Sequence, residues 1–147
     1  MSPAMTADTR ELRKRIVDTA LGMNAAGINR GKSGNVSARI DGGFLITPSG
    51  LPYADTTTDD IVAVDETGTA SGTRKPSSEW RFHLDIYRAR PQAAAIVHAH
   101  SPFATTLACL DRGIPAFHYM PRFAAVAPLD VYGMISFTRA KCARSVR

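Results

Sequence analysis

The sequence contains no long apolar run and only two cysteines among its 147 residues. No segment approaches the roughly 18 consecutive apolar residues of a membrane-spanning helix. Residues 1–15 are polar and charged, unlike the apolar centre of a secretory leader. Cys109 and Cys142 follow no metal-ligand spacing, which argues against a disulfide framework or a zinc ribbon. We therefore expect a cytoplasmic protein with no membrane partner.

Net positive charge is small outside the last part of the chain. The net charge is +5, but residues 121–147 hold five basic residues and one acidic residue, so the preceding chain is nearly neutral. A short basic end is usually a solvated tail, whereas a nucleic-acid-binding domain carries its basic residues on one face. We therefore expect no nucleic-acid partner.

The apolar pattern predicts one domain with a single core. Periodicity and turn residues predict a helix over 9–26, a hairpin of strands 35–40 and 44–47, a strand over 61–64, a helix over 79–89, a strand over 93–100 and a helix from 102 to about 110. Ser77 or Ser78 is expected to cap the second helix, with Trp80, Leu84 and Tyr87 on its buried stripe. This order indicates an α/β or α+β three-layer domain.

Two histidines lie two residues apart in the strand predicted over 93–100. Side chains at this spacing point to the same face of an extended strand, so His98 and His100 can chelate one metal ion. Taken alone, such a pair is more often one buried histidine and one surface histidine. Glu79 begins the preceding helix and becomes a candidate base or third metal ligand when considered together with this pair.

Three loop segments offer backbone N–H groups and small polar side chains. Pro76-Ser77-Ser78 precedes a helix, where the helix dipole favours an anion, and we interpret it as a phosphate cradle. Gly34-Asn35 and residues 47–50 are further loops of this kind, although each alone is an ordinary turn. Tyr119 is either a buried aromatic or a proton donor.

Five segments together resemble a known family. They read GKSGNVSAR at 31–39, LITPSG at 45–50, KPSSEWRFH at 75–83, VHAH at 97–100 and IPAFHYM at 114–120. In their order and spacing they resemble the class II aldolase/adducin family, over about residues 9–120. The resemblance implies an α/β/α three-layer sandwich around a mostly antiparallel sheet. It also implies a homotetramer with active sites between subunits.

The resemblance also implies a zinc-dependent aldol cleavage. A phosphorylated sugar such as L-fuculose 1-phosphate would yield dihydroxyacetone phosphate and an aldehyde. Zinc would act as a Lewis acid. Its implied ligands are His98, His100 and Glu79, and Glu79 would alternate between metal contact and general base. Tyr119, supplied across a subunit boundary, would act on the aldehyde oxygen. The residues implied to bind the substrate phosphate are Gly34, Asn35, Ser49, Gly50, Ser77 and Ser78.

The sequence departs from the family in its last part. The family has a third ligand histidine beyond the segment at 114–120, whereas no histidine follows His118 here. His83 and His118 lie in motifs where the family does not use them as ligands. Residues 121–147 do not resemble the family, and we interpret them as a divergent basic segment after an N-terminal domain over 1–120, produced by a frameshift or a truncated reading frame. Impaired catalysis and a disturbed tetramer are expected.

Alternative functions within the same superfamily stay open. Pentulose-phosphate 4-epimerases typically carry Asp where this chain has Glu79, and dehydratases of thio-sugar phosphates share the metal site. An adducin-like binding module would keep the fold without the metal site, and an inactive remnant is a further alternative. Lys32 stands where relatives often carry a small hydroxyl residue, and it either pairs with a phosphate or is solvated.

Overall fold

The computed structural model describes residues 7–110, which form three helices and five strands. The elements are α1 (Ala7–Ala25), β1 (Asn35–Ile40), β2 (Gly43–Ile46), β3 (Val62–Asp65), β4 (Ala70–Ser71), α2 (Trp80–Ala89), β5 (Ala95–His98) and α3 (Pro102–Cys109). Two short 3-10 helices connect β2 to β3. The sheet order is β4-β3-β2-β1-β5, and all of these pairings are antiparallel.

The hairpin of β1 and β2 is confirmed. Ile40 pairs with Gly43, so two residues form the turn, and Gly42 adopts a φ of 73° that favours glycine. Gly43 is required for a different reason, because a Cβ atom there would lie 2.1 Å from the backbone oxygen of Val64. The turn chemistry therefore fixes the register of the central strands.

The two faces of the sheet carry separate apolar clusters. Leu45 packs on one face together with α1 residues that include Ile16 and Met23. Its neighbours Phe44 and Ile46 point to the opposite face, where they pack with Leu84 and Tyr87 of α2. Helices thus cover both faces of the sheet, and the predicted α/β/α sandwich around an antiparallel sheet is confirmed.

Several boundaries differ from the prediction. β5 ends at His98, so His100 does not lie on the same extended strand as His98. β4 was not predicted, because two residues are too few to show a periodicity. The prediction that Ser77 or Ser78 is the N-cap of α2 is wrong: Glu79 occupies the N-cap position, and its side chain makes no cap hydrogen bond. The Ser77 hydroxyl instead accepts a hydrogen bond of 3.4 Å from the backbone N–H of Glu79. The backbone N–H of Ser77 donates to the Thr47 carbonyl, and α2 begins at Trp80.

The chain divides into two compact units, Met1–Ala99 and His100–Arg147. In the second unit the described part is dominated by α3, which begins at Pro102 as expected. Within residues 7–110 no helix is long and apolar enough to cross a membrane. Tyr119 and the boundary predicted at residue 120 lie outside the described residues, and both stay predictions.

Candidate active site

The start of β1, the end of β5 and the start of α2 meet around a buried carboxylate. Asn35 and His98 are partners in the register of β1 and β5. The Asn35 side-chain amide donates a hydrogen bond of 2.6 Å from Nδ2 to Oε2 of Glu79, and Nε2 of His98 lies 3.2 Å from the same oxygen. Glu79 is only 3% exposed and His98 only 7%. A carboxylate and an imidazole are thus held together where water is largely excluded.

Glu79, His98 and His100 form a cluster that could hold a metal ion. One ligand atom from each residue lies within 4.8 Å of the other two. A carboxylate oxygen and imidazole nitrogens are among the ligand types of zinc, and atoms about 2.0–2.2 Å from one zinc ion can be no more than roughly 4.4 Å apart. The donor set and its spread therefore fit a divalent metal after a small closure. The structure brings together the three residues that the sequence singled out.

Gly34 allows the strand ends to approach each other. A Cβ atom at this position would lie 2.5 Å from the backbone oxygen of His98 and 2.9 Å from Oδ1 of Asn29. Tyr53 donates a hydrogen bond to the Gly34 carbonyl, and burial, followed by the charge of Glu79, raises the pKa of Tyr53 to about 12. The phenol therefore keeps its proton at neutral pH and secures the loop before β1.

Two of the three loops predicted to bind phosphate, at 47–50 and before α2, lie side by side. The backbone N–H of Ser77 donates to the Thr47 carbonyl at 3.0 Å, and that of Ser49 donates to the Lys75 carbonyl at 2.9 Å. Lys32 reaches the same place, because its Nζ donates to the Gly50 carbonyl at 3.0 Å. Backbone contacts thus pair the segment at 47–50 with the segment before α2. The Lys32 ammonium lies at the edge of these two segments.

A row of buried polar side chains between β1 and α2 was not singled out from the sequence. Ser37 Oγ lies 2.6 Å from Nδ1 of His83 and 2.8 Å from the hydroxyl of Tyr87. The other ring nitrogen of His83, Nε2, contacts Oδ1 of Asn35. The sequence did contain a signal: Asn35 and Ser37 are two apart on a strand, while Glu79, His83 and Tyr87 are four apart at a helix, so each set lies on one face.

Comparison with known proteins identifies the family. Residues 14–143 match the family described as Class II Aldolase and Adducin N-terminal domain. The match covers most of the chain and includes the whole candidate site. The protein belongs to the class II aldolase and adducin family.

The chain is similar in sequence to relatives that are named as sugar-phosphate aldolases. The chain is 48% identical over 133 residues to 5-methylthioribulose-1-phosphate/5-deoxyribulose-1-phosphate aldolase of Rhodospirillum rubrum, covering 90% of this chain and 60% of that protein. It is 49% identical over 110 residues to L-fuculose phosphate aldolase of Haemophilus influenzae, covering 75% of this chain and 51% of that protein. The chain therefore spans between half and 60% of these relatives.

Solved structures agree with this assignment. A structure of L-fuculose 1-phosphate aldolase matches with a TM-score of 0.72 and 35% sequence identity. The match covers 82% of this chain and 57% of the other. The arrangement of strands and helices around the site is therefore that of the family.

Proposed function

We propose that the protein is a metal-dependent aldolase that cleaves a 1-phosphorylated ketose into dihydroxyacetone phosphate and an aldehyde. The observation that carries the proposal is the cluster of Glu79, His98 and His100, whose ligand atoms lie within 4.8 Å of one another. We propose zinc as the metal, because a carboxylate with two imidazoles suits it. A divalent metal in this site supplies Lewis acidity to a carbonyl or hydroxyl oxygen.

Glu79 is the proposed acid and base of the reaction. In the cleavage direction the bond between C3 and C4 breaks, the C4 hydroxyl loses its proton as the aldehyde forms, and C3 gains a proton. We propose Glu79 for the proton transfer at C3, and its burial and its hydrogen bond from Asn35, which orients the carboxylate, support this role. Tyr119 is proposed, from the family resemblance, to act at the aldehyde oxygen from a neighbouring subunit of a homotetramer.

The phosphate would be held by the adjacent loops at 47–50 and before α2. Ser49, Gly50, Ser77 and Ser78 are proposed to contact it, together with the loop at Gly34 and Asn35. The side-chain amide of Asn35 faces Glu79 and His83, so its main role in the site concerns the carboxylate. Lys32, at the edge of these loops, is a candidate counter-charge for the phosphate.

The sugar phosphates in the names of the relatives support the proposed substrate class. L-fuculose 1-phosphate and 5-deoxyribulose 1-phosphate both place a ketone beside the phosphorylated carbon, and both release dihydroxyacetone phosphate. The parts that differ belong to the aldehyde product. We therefore propose selectivity for the phosphorylated half of the substrate, and Glu79, in place of Asp, favours the aldolase over a 4-epimerase.

The direct test is release of dihydroxyacetone phosphate, measured with a coupled reductase assay in the presence of zinc. The two sugar phosphates are compared in parallel. Zinc-dependent release from either compound, abolished by a chelator and restored by added metal, is the expected result. Zinc-saturated protein that releases no dihydroxyacetone phosphate from either would contradict the proposal.

Phosphate binding gives a separate prediction. Ser78→Ala is expected to weaken the binding of inorganic phosphate about 10-fold or more, since a hydrogen bond to a charged group contributes about 1.5–3 kcal/mol. An NMR titration should show the largest amide shifts at Ser77, Ser78 and Gly50. Ser71→Ala, in β4 at the far edge of the sheet, is the matched control and should leave the affinity unchanged. Shifts confined to other residues would refute this placement of the phosphate.

A further inference from the structure

An unbroken row of buried hydrogen bonds runs between β1 and α2 and ends on the proposed catalytic carboxylate. The hydroxyls of Tyr87 and Ser37 lie 2.8 Å apart, and Ser37 Oγ lies 2.6 Å from Nδ1 of His83. His83 Nε2 contacts Oδ1 of Asn35, whose Nδ2 lies 2.6 Å from Oε2 of Glu79. We call these five residues the Tyr87–Glu79 chain.

The carboxylate determines the direction of every bond in the chain. An ionised carboxylate only accepts hydrogen bonds, so Asn35 must present its NH₂ group to Glu79 and its carbonyl oxygen to His83. His83 must then carry its proton on Nε2, and a neutral ring with that proton accepts at Nδ1. Ser37 therefore donates to His83, and Tyr87 donates to Ser37. Each donor in the chain points towards Glu79.

The environment of His83 keeps the ring neutral. His83 is 1% exposed, and burial, followed by the nearby His98, lowers its pKa to about 4 although the charge of Glu79 opposes the shift. At neutral pH the ring therefore has one donor and one acceptor. Phe44 stacks beside it, with ring centroids 6.5 Å apart and planes 18° from parallel, which restricts the ring orientation further.

We propose that His83 is a positioning residue whose Nε2–H fixes the Asn35 amide, which in turn fixes the Glu79 carboxylate beside His98. This proposal rests on the proposed function, because Glu79 is the base and metal ligand of that reaction. An amide does not pass a proton from its carbonyl to its NH₂ group while keeping its orientation. His83 and Asn35 therefore hold the carboxylate in place, and the Tyr87–Glu79 chain is not a proton wire.

Three variants test the proposal by zinc affinity, measured by competition with a chromophoric chelator. His83→Phe keeps a ring but removes both hydrogen bonds, and we expect zinc binding to weaken about 10- to 100-fold, the usual effect of losing an outer-shell partner. His83→Gln supplies an amide N–H for Asn35 and should recover most of the affinity. Tyr87→Phe removes only the hydroxyl at the end of the Tyr87–Glu79 chain that is far from Glu79, and this variant should bind zinc like the unaltered protein.

Unchanged zinc affinity in His83→Phe would overturn the proposal. Equal losses in the Phe and Gln variants would also overturn it, because the N–H donor that only the Gln variant keeps would then make no difference to zinc binding. Thermal unfolding of each metal-free variant shows whether it is folded, so that a loss of zinc affinity can be separated from a loss of the fold.

A measurement on the unaltered protein keeps the proposal testable if His83→Phe does not fold. Long-range ¹H–¹⁵N NMR of the His83 ring reports which nitrogen carries the proton, and the Nε2–H tautomer is the expected result. The Nδ1–H tautomer would overturn the proposal, since the chain would then run in the opposite direction. This outcome is independent of catalysis: failure of the protein to bind zinc would contradict the proposed function while the tautomer still decides the direction of the chain.

Discussion

Replacement of both His98 and His100 by alanine is expected to abolish stoichiometric zinc binding. Within the cluster, only Glu79 would then remain as a ligand, whereas catalytic zinc sites usually have three protein ligands. Equilibrium dialysis followed by metal analysis measures the effect. Each single variant should retain weakened binding, because Glu79 and one imidazole remain.

Asp85→Ala serves as the control for the double variant. Asp85 is an exposed carboxylate on α2, so its loss removes a charge without touching the cluster. Stoichiometric zinc that persists in the folded double variant would place the metal elsewhere and remove the basis of the proposed site.

Replacement of Glu79 by glutamine is expected to lower the rate of aldol cleavage about 10²- to 10⁴-fold, the usual contribution of a general acid or base. Glutamine preserves the shape of the side chain and an oxygen that can accept from Asn35, but it cannot take up and return a proton. The turnover number should therefore fall more than the Michaelis constant changes. Zinc affinity should fall less than in the variant lacking both histidines.

Glu66→Gln is the matched control for this substitution, since Glu66 is an exposed glutamate outside the site. Its turnover should equal that of the unaltered protein. Undiminished cleavage by Glu79→Gln under saturating zinc would show that another group transfers the proton.

Local patterns predicted most of the fold, because periodicity reports which face of an element is buried. The hairpin of β1 and β2 and the helices α1, α2 and α3 follow from apolar spacing and turn residues. The sheet order did not follow, since β5 pairs with β1 across more than fifty intervening residues. Which distant strands pair depends on how both faces of the sheet are covered, and no local window contains that information.

The sequence predicted the cluster of candidate metal ligands but not the contacts that support it. The two histidines were found by assuming an extended strand through His100, and this geometry was wrong because β5 ends at His98. The cluster nevertheless forms, since His100 is only two residues further along. The presence of histidine and glutamate therefore predicted the site better than the assumed extended backbone did.

The Tyr87–Glu79 chain was not predicted, because its hydrogen bonds form only when β1 and α2 lie side by side with their polar residues aligned. Two residues along a strand advance about 6.6 Å, and four residues along a helix advance about 6.0 Å. The polar side chains of β1 and α2 therefore have nearly the same spacing and stay opposite each other over several residues. Arg39, two further along β1, continues the pattern with its guanidinium 4.5 Å from the ring centre of Tyr87.

Anomalous diffraction at the zinc edge, from the full chain crystallised with zinc, tests the central claim most directly. We expect one strong peak about 2.0–2.2 Å from an imidazole nitrogen of both His98 and His100, with a Glu79 oxygen at a similar distance in the absence of substrate. No peak at these side chains, or a strong zinc peak held entirely by other residues, would contradict the account.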